Sequence, residues 1–273
     1  MSTWTSDNEP EALPISIGGW VRVVLRGTAL GLVTYGCLAI LLIVRLIERP
    51  LCGLNRPVTP HITQFVCRSA FRIMGLRFET RGQPMRDRGA VVANHGSWLD
   101  IFTLNAPQRI YFVSKSEVAG WPGIGWLAKA TGTVFINRDR REARAQTELF
   151  EARLDAGHKL LFFPEGTSSD GRRVLPFKPT LFAAFFSDHL RPYLKIQPVT
   201  VVYSAPEGAD PRFFGWWGDM DFGPHLLQVL AAHPQGKVTV VFHEPVAVHD
   251  FPDRKALAAY CEEKVRSAFP EAH

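Results

Sequence analysis

Cysteine is scarce in this chain: its 273 residues hold four, Cys37, Cys52, Cys67 and Cys261. None forms a C-x-x-C pair, and no histidines cluster at zinc-ligand spacing. A zinc module or a disulfide scaffold is therefore not expected. The four read as free thiols, buried or facing lipid, in a reducing compartment. A P-loop and a dinucleotide fingerprint are also missing. Gly120, Gly123 and Gly125 are spaced Gly-x-x-Gly-x-Gly with no long strand before them. Gly-x-Ser-x-Gly is absent because Leu99 stands where its last glycine belongs, so Ser97 is not expected to form a covalent intermediate. There is no internal repeat and no low-complexity segment. The first residues lack a basic stretch, and no small-residue cleavage site follows the first apolar run, so they do not read as a signal peptide.

What is present is an ordinary globular composition, 46% hydrophobic and 21% charged, with a net charge of +5. A basic balance suits nucleic acid, an anionic membrane surface or an acidic protein, and charge alone does not choose. No helix-turn-helix, zinc-finger or RNA-binding signature accompanies it, so nucleic acid is not an expected partner. Between Arg26 and Arg45 lie 18 uncharged, mostly apolar residues. As a helix they would extend about 27 Å, close to a hydrocarbon core of about 30 Å, with the flanking arginines able to snorkel. This predicts a membrane segment; the alternative is a helix buried in a soluble core. Arg45, Arg49 and Arg56 after the run outnumber Arg22 and Arg26 before it, which favours a cytoplasmic C-terminal side.

Beyond it, Pro50, Pro57 and Pro60 are expected to break the helix. His61 to Leu76 has helical spacing and reads either as an interfacial amphipathic helix or as a surface helix. From Gly89 onward, strands alternate with helices. Strands are expected at 90–93, 109–114, 133–136, 159–163, 196–203 and 238–243. Helices are expected from 97, at 117–130, 139–156, 179–189 and 253–269. That order predicts an α/β fold, with a mostly parallel central sheet flanked by helices and an N-terminal membrane helix. The expected division is a polar tail (1–22), a membrane-associated helical segment (23–80) and a catalytic domain (81–273).

Four short blocks carry the chemistry. Asn94-His95-Gly96-Ser97-Trp98-Leu99-Asp100 lies where a strand gives way to a helix, the place where α/β sheets bind ligands. A carboxylate at Asp100 can fix the His95 tautomer and leave the other ring nitrogen free to take a proton. Gly132 to Arg138 is a strand that ends in an arginine, with Arg140, Arg141 and Arg144 following. Phe162-Phe163-Pro164-Glu165-Gly166-Thr167-Ser168 ends a hydrophobic strand in a turn. Gln197-Pro198-Val199 opens another strand. Taken singly, each has a plain structural reading: a core histidine, a solvated helix face, an exposed turn, a packing proline.

In this order and spacing the four resemble the motifs of the glycerophospholipid and related acyltransferases, over roughly Gly82 to Val202. The resemblance implies transfer of a fatty acyl group from acyl carrier protein or coenzyme A to a lyso-lipid hydroxyl, with that thioester as co-substrate and neither cofactor nor metal. It implies His95 as base and Asp100 as its partner, with Arg138, Glu165, Gly166 and Thr167 shaping the acceptor site. Asn94, Ser168, Arg172, Arg173 and Lys178 are candidate head-group or donor contacts. Amides near Gly96 or Gly166 are candidate oxyanion donors. Ser168 stands where the family usually has an arginine suited to gripping a phosphate. That departure, with the stretch from Phe163 to Phe186, looks most like the branch that acylates lyso-ornithine lipid. Lysophosphatidic acid, converted to phosphatidic acid, is the alternative acceptor, since Arg138, Arg172, Arg173 or Lys178 can hold phosphate. A thioesterase or esterase would use the same pair. Arg138, Arg140, Arg141 and Arg144 would receive acyl carrier protein or anionic lipid. The implied place is the inner, cytoplasmic membrane, with the catalytic domain on the cytoplasmic side.

Overall fold

Side chains along a strand alternate between the two faces of its sheet, so a strand that is apolar at every position needs cover on both. The segment Gly89-Ala90-Val91-Val92-Ala93 is of this kind, and all five residues are buried. In the computed structural model of the protein, which describes residues 4–5, 10, 14–137, 141 and 143–269, this segment is the strand at the centre of a mixed sheet. The strands are β1 (Arg77–Arg81), β2 (Gly89–Ala93), β3 (Tyr111–Lys115), β4 (Val134–Ile136), β5 (Lys159–Phe162), β6 (Lys195–Ser204), β7 (Lys237–Phe242) and β8 (Val246–Ala247). Their order is β1-β7-β6-β2-β5-β3-β4, with β8 paired to β6. The pairings of β2 with β5 and β6, of β3 with β4 and β5, and of β1 with β7 are parallel. Among the described residues, only the contacts of β6 with β7 and with β8 are antiparallel. The fold is thus α/β with a mostly parallel sheet, as expected.

The helices are α1 (Ile17–Cys52), α2 (Thr59–Met74), α3 (Asp100–Asn105), α4 (Ile124–Thr131), α5 (Ala143–Asp155), α6 (Phe222–Ala231) and α7 (Arg254–Ser267). Val91 and Ala93 point into one core, shared with Cys67, Phe71, Met74, Leu104, Val229 and Leu230 of α2, α3 and α6. Ala90 and Val92 point into the other, with Phe150, Leu154, Phe182, Leu257, Cys261 and Val265. The four cysteines are free.

Three elements were not anticipated: β1, α6 and β8. β1 reads Arg-Phe-Glu-Thr-Arg, which carries no strand pattern, and it is held by pairing along its whole length with β7. Residues 179–186, expected as an α-helix, form tight 3-10 turns instead, stapled by Phe182 and Phe185 in the core. Pro50 does not end α1, which continues to Cys52. A proline in a last turn gives up one hydrogen bond without forcing the helix to stop at once.

α1 is long and apolar enough to cross a membrane, and only 6% of its most apolar window is buried. Leu25, Leu32, Ile43 and Leu46 are all more than 60% exposed, a band that associates the chain with a membrane. Its polar side chains grip the rest of the protein. Arg22 Nε donates to Ala231 O, and Arg26 Nη1 donates to the carbonyls of Leu230 and Ala232, each at 2.8 Å. These are the last carbonyls of α6, which carry partial negative charge and lack partners of their own. Arg26, expected to snorkel, thus caps a helix. At the other end, the Glu48 carboxylate accepts from the amides of Val58 and Thr59 and from the Thr59 hydroxyl, at 2.8, 3.1 and 2.7 Å, capping α2 from α1.

Candidate active site

β2 ends at Ala93, and the chain turns over the carboxyl edge of the sheet before α3 begins. Asn94 fixes the departure point. Its side chain donates to Val201 O at 2.9 Å and accepts from Val201 N at 2.8 Å, fastening the end of β2 to β6. Asn94 is a structural clamp with 2% exposure, not the head-group contact it was expected to be.

His95 and Asp100 face each other across the tight turn. Nδ1 of His95 lies 2.7 Å from Oδ2 of Asp100. The same oxygen accepts from the amides of Gly96 and Ser97 at 3.0 and 3.1 Å, and Oδ1 accepts from the Tyr203 hydroxyl at 2.7 Å. A carboxylate surrounded by donors is an acceptor, so Nδ1 carries the ring proton and Nε2 is the basic nitrogen. Asp100 is fully buried, whereas the His95 side chain is 24% exposed. Among the described residues Nε2 has no hydrogen-bond partner. The ring stacks on Phe163, centroids 4.0 Å apart and planes 11° apart, which fixes its tilt. Asp100 was expected one turn into the helix. It is instead the first residue of α3, because its carboxylate takes the amides of the preceding loop.

Tyr203 was missed. It closes an apolar run on β6, and a phenol inside such a strand must find a polar partner, which was the available signal. Burial, and then the Asp100 charge, push its pKa well above the ordinary value, so it stays a donor. Its oxygen also lies 3.1 Å from Thr103 Oγ1. Ser97 is buried, and its hydroxyl accepts from Leu99 N at 3.3 Å, which agrees with its exclusion as a nucleophile.

The turn after β5 packs beside His95. Ser169 N donates to His95 O at 2.9 Å, and Trp216 N donates to Gly96 O at 2.9 Å. Gly96 must be glycine, since a Cβ there would come 2.8 Å from the Cα of Gly171. Glu165 does not line the acceptor site as expected. It is 1% exposed, and its Oε1 accepts from His95 N at 3.1 Å, so it positions the histidine backbone. Its Oε2 is buried. Burial raises its pKa well above the usual carboxylate range, opposed by the amides of His95 and Leu175.

A carboxyl whose folded pKa is raised contributes stability that is full below its unfolded pKa and is lost as pH rises through the folded value. Glu165→Gln keeps the acceptor oxygen and removes the ionisation. Thermal melts from acid to alkaline pH are expected to decline more steeply for the wild type than for this variant; parallel curves would refute the buried neutral carboxyl.

The candidate oxyanion donors are both engaged. Gly96 N–H serves Asp100, and Gly166 N–H donates to Phe163 O at 3.0 Å. Thr167 and Ser168 are half-buried on the turn. Lys178 lies against Gly166, where a Cβ would stand 2.9 Å from Nζ. Arg173 pairs with the buried Asp170, Nη2 to Oδ2 at 2.9 Å. Arg172 is half-buried, and its amide donates to Asp170 Oδ1 at 3.0 Å. Arg138 and Arg140 lie outside the described residues. Arg144 pairs with Glu148 at 2.9 Å on an exposed helix face.

A half-exposed imidazole, aligned by a buried carboxylate at the strand ends of a parallel sheet, defines an α/β enzyme equipped for proton transfer. A sequence profile described as Acyltransferase matches residues 69–202, which contain both His95 and Asp100. The chain is 61% identical over 264 residues to a lyso-ornithine lipid O-acyltransferase of Rhodobacter capsulatus, covering 97% of this chain and 96% of the relative. It is 41% identical over 193 residues to a 1-acyl-sn-glycerol-3-phosphate acyltransferase of Neisseria gonorrhoeae, covering 68% and 72%. The chain belongs to the acyltransferase family. A crystal structure of the 1-acyl-sn-glycerophosphate acyltransferase of Thermotoga maritima superposes with a TM-score of 0.66 at 22% identity, covering 93% of this chain and 95% of that one, and so shares the fold.

Proposed function

We propose that this acyltransferase moves a fatty acyl group from the thioester of acyl carrier protein or coenzyme A to the hydroxyl of lyso-ornithine lipid. The observation that carries the chemistry is the His95–Asp100 pair, with Nδ1 held at 2.7 Å and Nε2 unpartnered among the described residues. Nε2 takes the proton of the acceptor hydroxyl as its oxygen attacks the thioester carbonyl. Asp100 stabilises the imidazolium that forms. The proton then passes to the departing thiolate. A thioester is already activated, so a direct transfer needs alignment of the two substrates more than a covalent enzyme intermediate. No resident cofactor or metal enters this scheme.

For the acceptor, support comes from the 61% identity over nearly the full length to the Rhodobacter capsulatus enzyme, and from Ser168 in place of a phosphate-gripping arginine. The Neisseria relative and the basic side chains of Arg172, Arg173 and Lys178 favour a second reading, lysophosphatidic acid as acceptor. The purified protein, given one acyl thioester and a panel of lyso-lipids, is expected to acylate lyso-ornithine lipid. Acylation of lysophosphatidic acid alone would reverse the choice, and release of free fatty acid without any acceptor would make the protein a thioesterase.

The enzyme works on the cytoplasmic face of the inner membrane. α1 and α2 form its membrane-associated segment, and 81–273 its catalytic part. α1 lies along the membrane surface: it meets α6 through Arg22 and Arg26 and α2 through Glu48, so contacts with the protein run from one end of the helix to the other. Trp126 of α4, a helix in contact with α1, is 70% exposed and suits the headgroup layer. The exposed Arg141 and Arg144 present positive charge to acyl carrier protein or anionic lipid.

A further inference from the structure

Trp4 lies far from the site in sequence, yet it contacts both segments that flank His95. Its amide is 3.5 Å from Thr167 Oγ1. Its ring meets that of Trp217 edge-on, centroids 6.0 Å apart. The Arg173 guanidinium lies 5.2 Å over the Trp4 ring centroid, a cation–π distance. Beneath it, Arg173 is held in place by Asp170, whose side chain is 1% exposed and receives Nε at 3.2 and 3.1 Å. The two segments are fixed to the catalytic turn by the amide of Ser169 on His95 O and the amide of Trp216 on Gly96 O. Trp4 therefore packs on the two segments that adjoin His95.

The corner it covers has a polar character. Asp170 pairs with Arg173, and Asp210 pairs with Arg212 at 2.8 Å, with Arg212 lying 6.0 Å over the Trp217 ring. Arg172 brings a further positive charge on the same turn, and among the described residues its guanidinium has no ion-pair partner. Trp217 Nε1 is buried with no acceptor among the described residues. Donors outnumber acceptors here, which suits an anionic group such as the carboxylate of an amino acid.

We propose that Trp4 walls the acceptor head-group pocket, in which the carboxylate of an amino acid head group meets Arg172. The head-group chemistry rests on the acceptor reading above; the placement of Trp4 does not. The indole gives that pocket an apolar wall and holds the Arg173 guanidinium by a cation–π contact. Trp4 touches neither the His95 ring nor its carboxylate, so it sets acceptor affinity and leaves the chemical step alone.

The test is steady-state kinetics on full-length Trp4→Ala and Trp4→Phe, with lyso-lipid in mixed micelles and the acyl thioester varied separately. Trp4→Ala is expected to raise KM for lyso-ornithine lipid by about tenfold, equivalent to about 1.4 kcal/mol. Thioester KM and kcat should stay within about twofold, and Trp4→Phe should recover most of the loss. An acceptor KM unchanged in Trp4→Ala overturns the proposal, as does a fall in kcat and thermal stability with an equal rise in both KM values. Should the wild type acylate only lysophosphatidic acid, the acceptor reading fails by itself. The same KM shift on that acceptor would then uphold Trp4 as the wall, and its absence would remove it.

Discussion

His95→Ala is expected to lower kcat by about 10³-fold, within the usual contribution of a positioned general base. Nothing else in the described site replaces it. Asp100 is buried and turned toward the loop amides, Tyr203 is buried and holds its proton, and Ser97 is buried with its hydroxyl engaged. The fold should survive, because the imidazole is partly exposed and the strand end is fixed by Asn94 and Glu165. The measurement is acyl transfer at saturating thioester and lyso-lipid, paired with a thermal melt. A variant that keeps activity within about tenfold of the wild type would end the general-base assignment.

Asp100→Asn should cost both activity and stability. The carboxylate collects four hydrogen bonds: the His95 ring, two backbone amides and the Tyr203 hydroxyl. A carboxamide offers one oxygen and brings an NH₂ group among donors. At least one donor then loses its partner inside the protein, at roughly 1–3 kcal/mol, and more where a charge took part. The His95 tautomer is no longer fixed, so kcat is expected to fall by about 10²–10⁴-fold. Tyr203→Phe separates the two effects. It removes one buried donor and leaves the contact between ring and carboxylate, so stability should drop while kcat stays within about tenfold. Full activity in Asp100→Asn would show that the ring is held by Phe163 and the loop alone.

Much of this was legible beforehand. The alternation of strands and helices from Gly89 onward announced a mostly parallel sheet flanked by helices, and β2 and β5 lie adjacent at its centre. Asn-His-x-x-x-x-Asp at a strand end named the pair that the fold brings to 2.7 Å. The spacing worked because both residues belong to one short turn, and a contact within six residues needs no long-range folding to be foreseen. What escaped the reading was non-local. β1 has no strand pattern and exists because β7 pairs with it. Glu165, expected in the acceptor site, turned inward because the His95 amide, 70 positions away in sequence, needed an acceptor.

The sequence by itself determined the family, the imidazole–carboxylate pair and the apolar helix, since each is written in neighbouring residues whose chemistry is local. Only the tertiary structure decided that Tyr203 would complete the Asp100 shell, that Arg22 and Arg26 would cap α6, and that Trp4 would pack against Trp217. Those contacts join residues a hundred or more positions apart. They form because buried donors and charged groups must find partners wherever packing brings them, and no local pattern records that search.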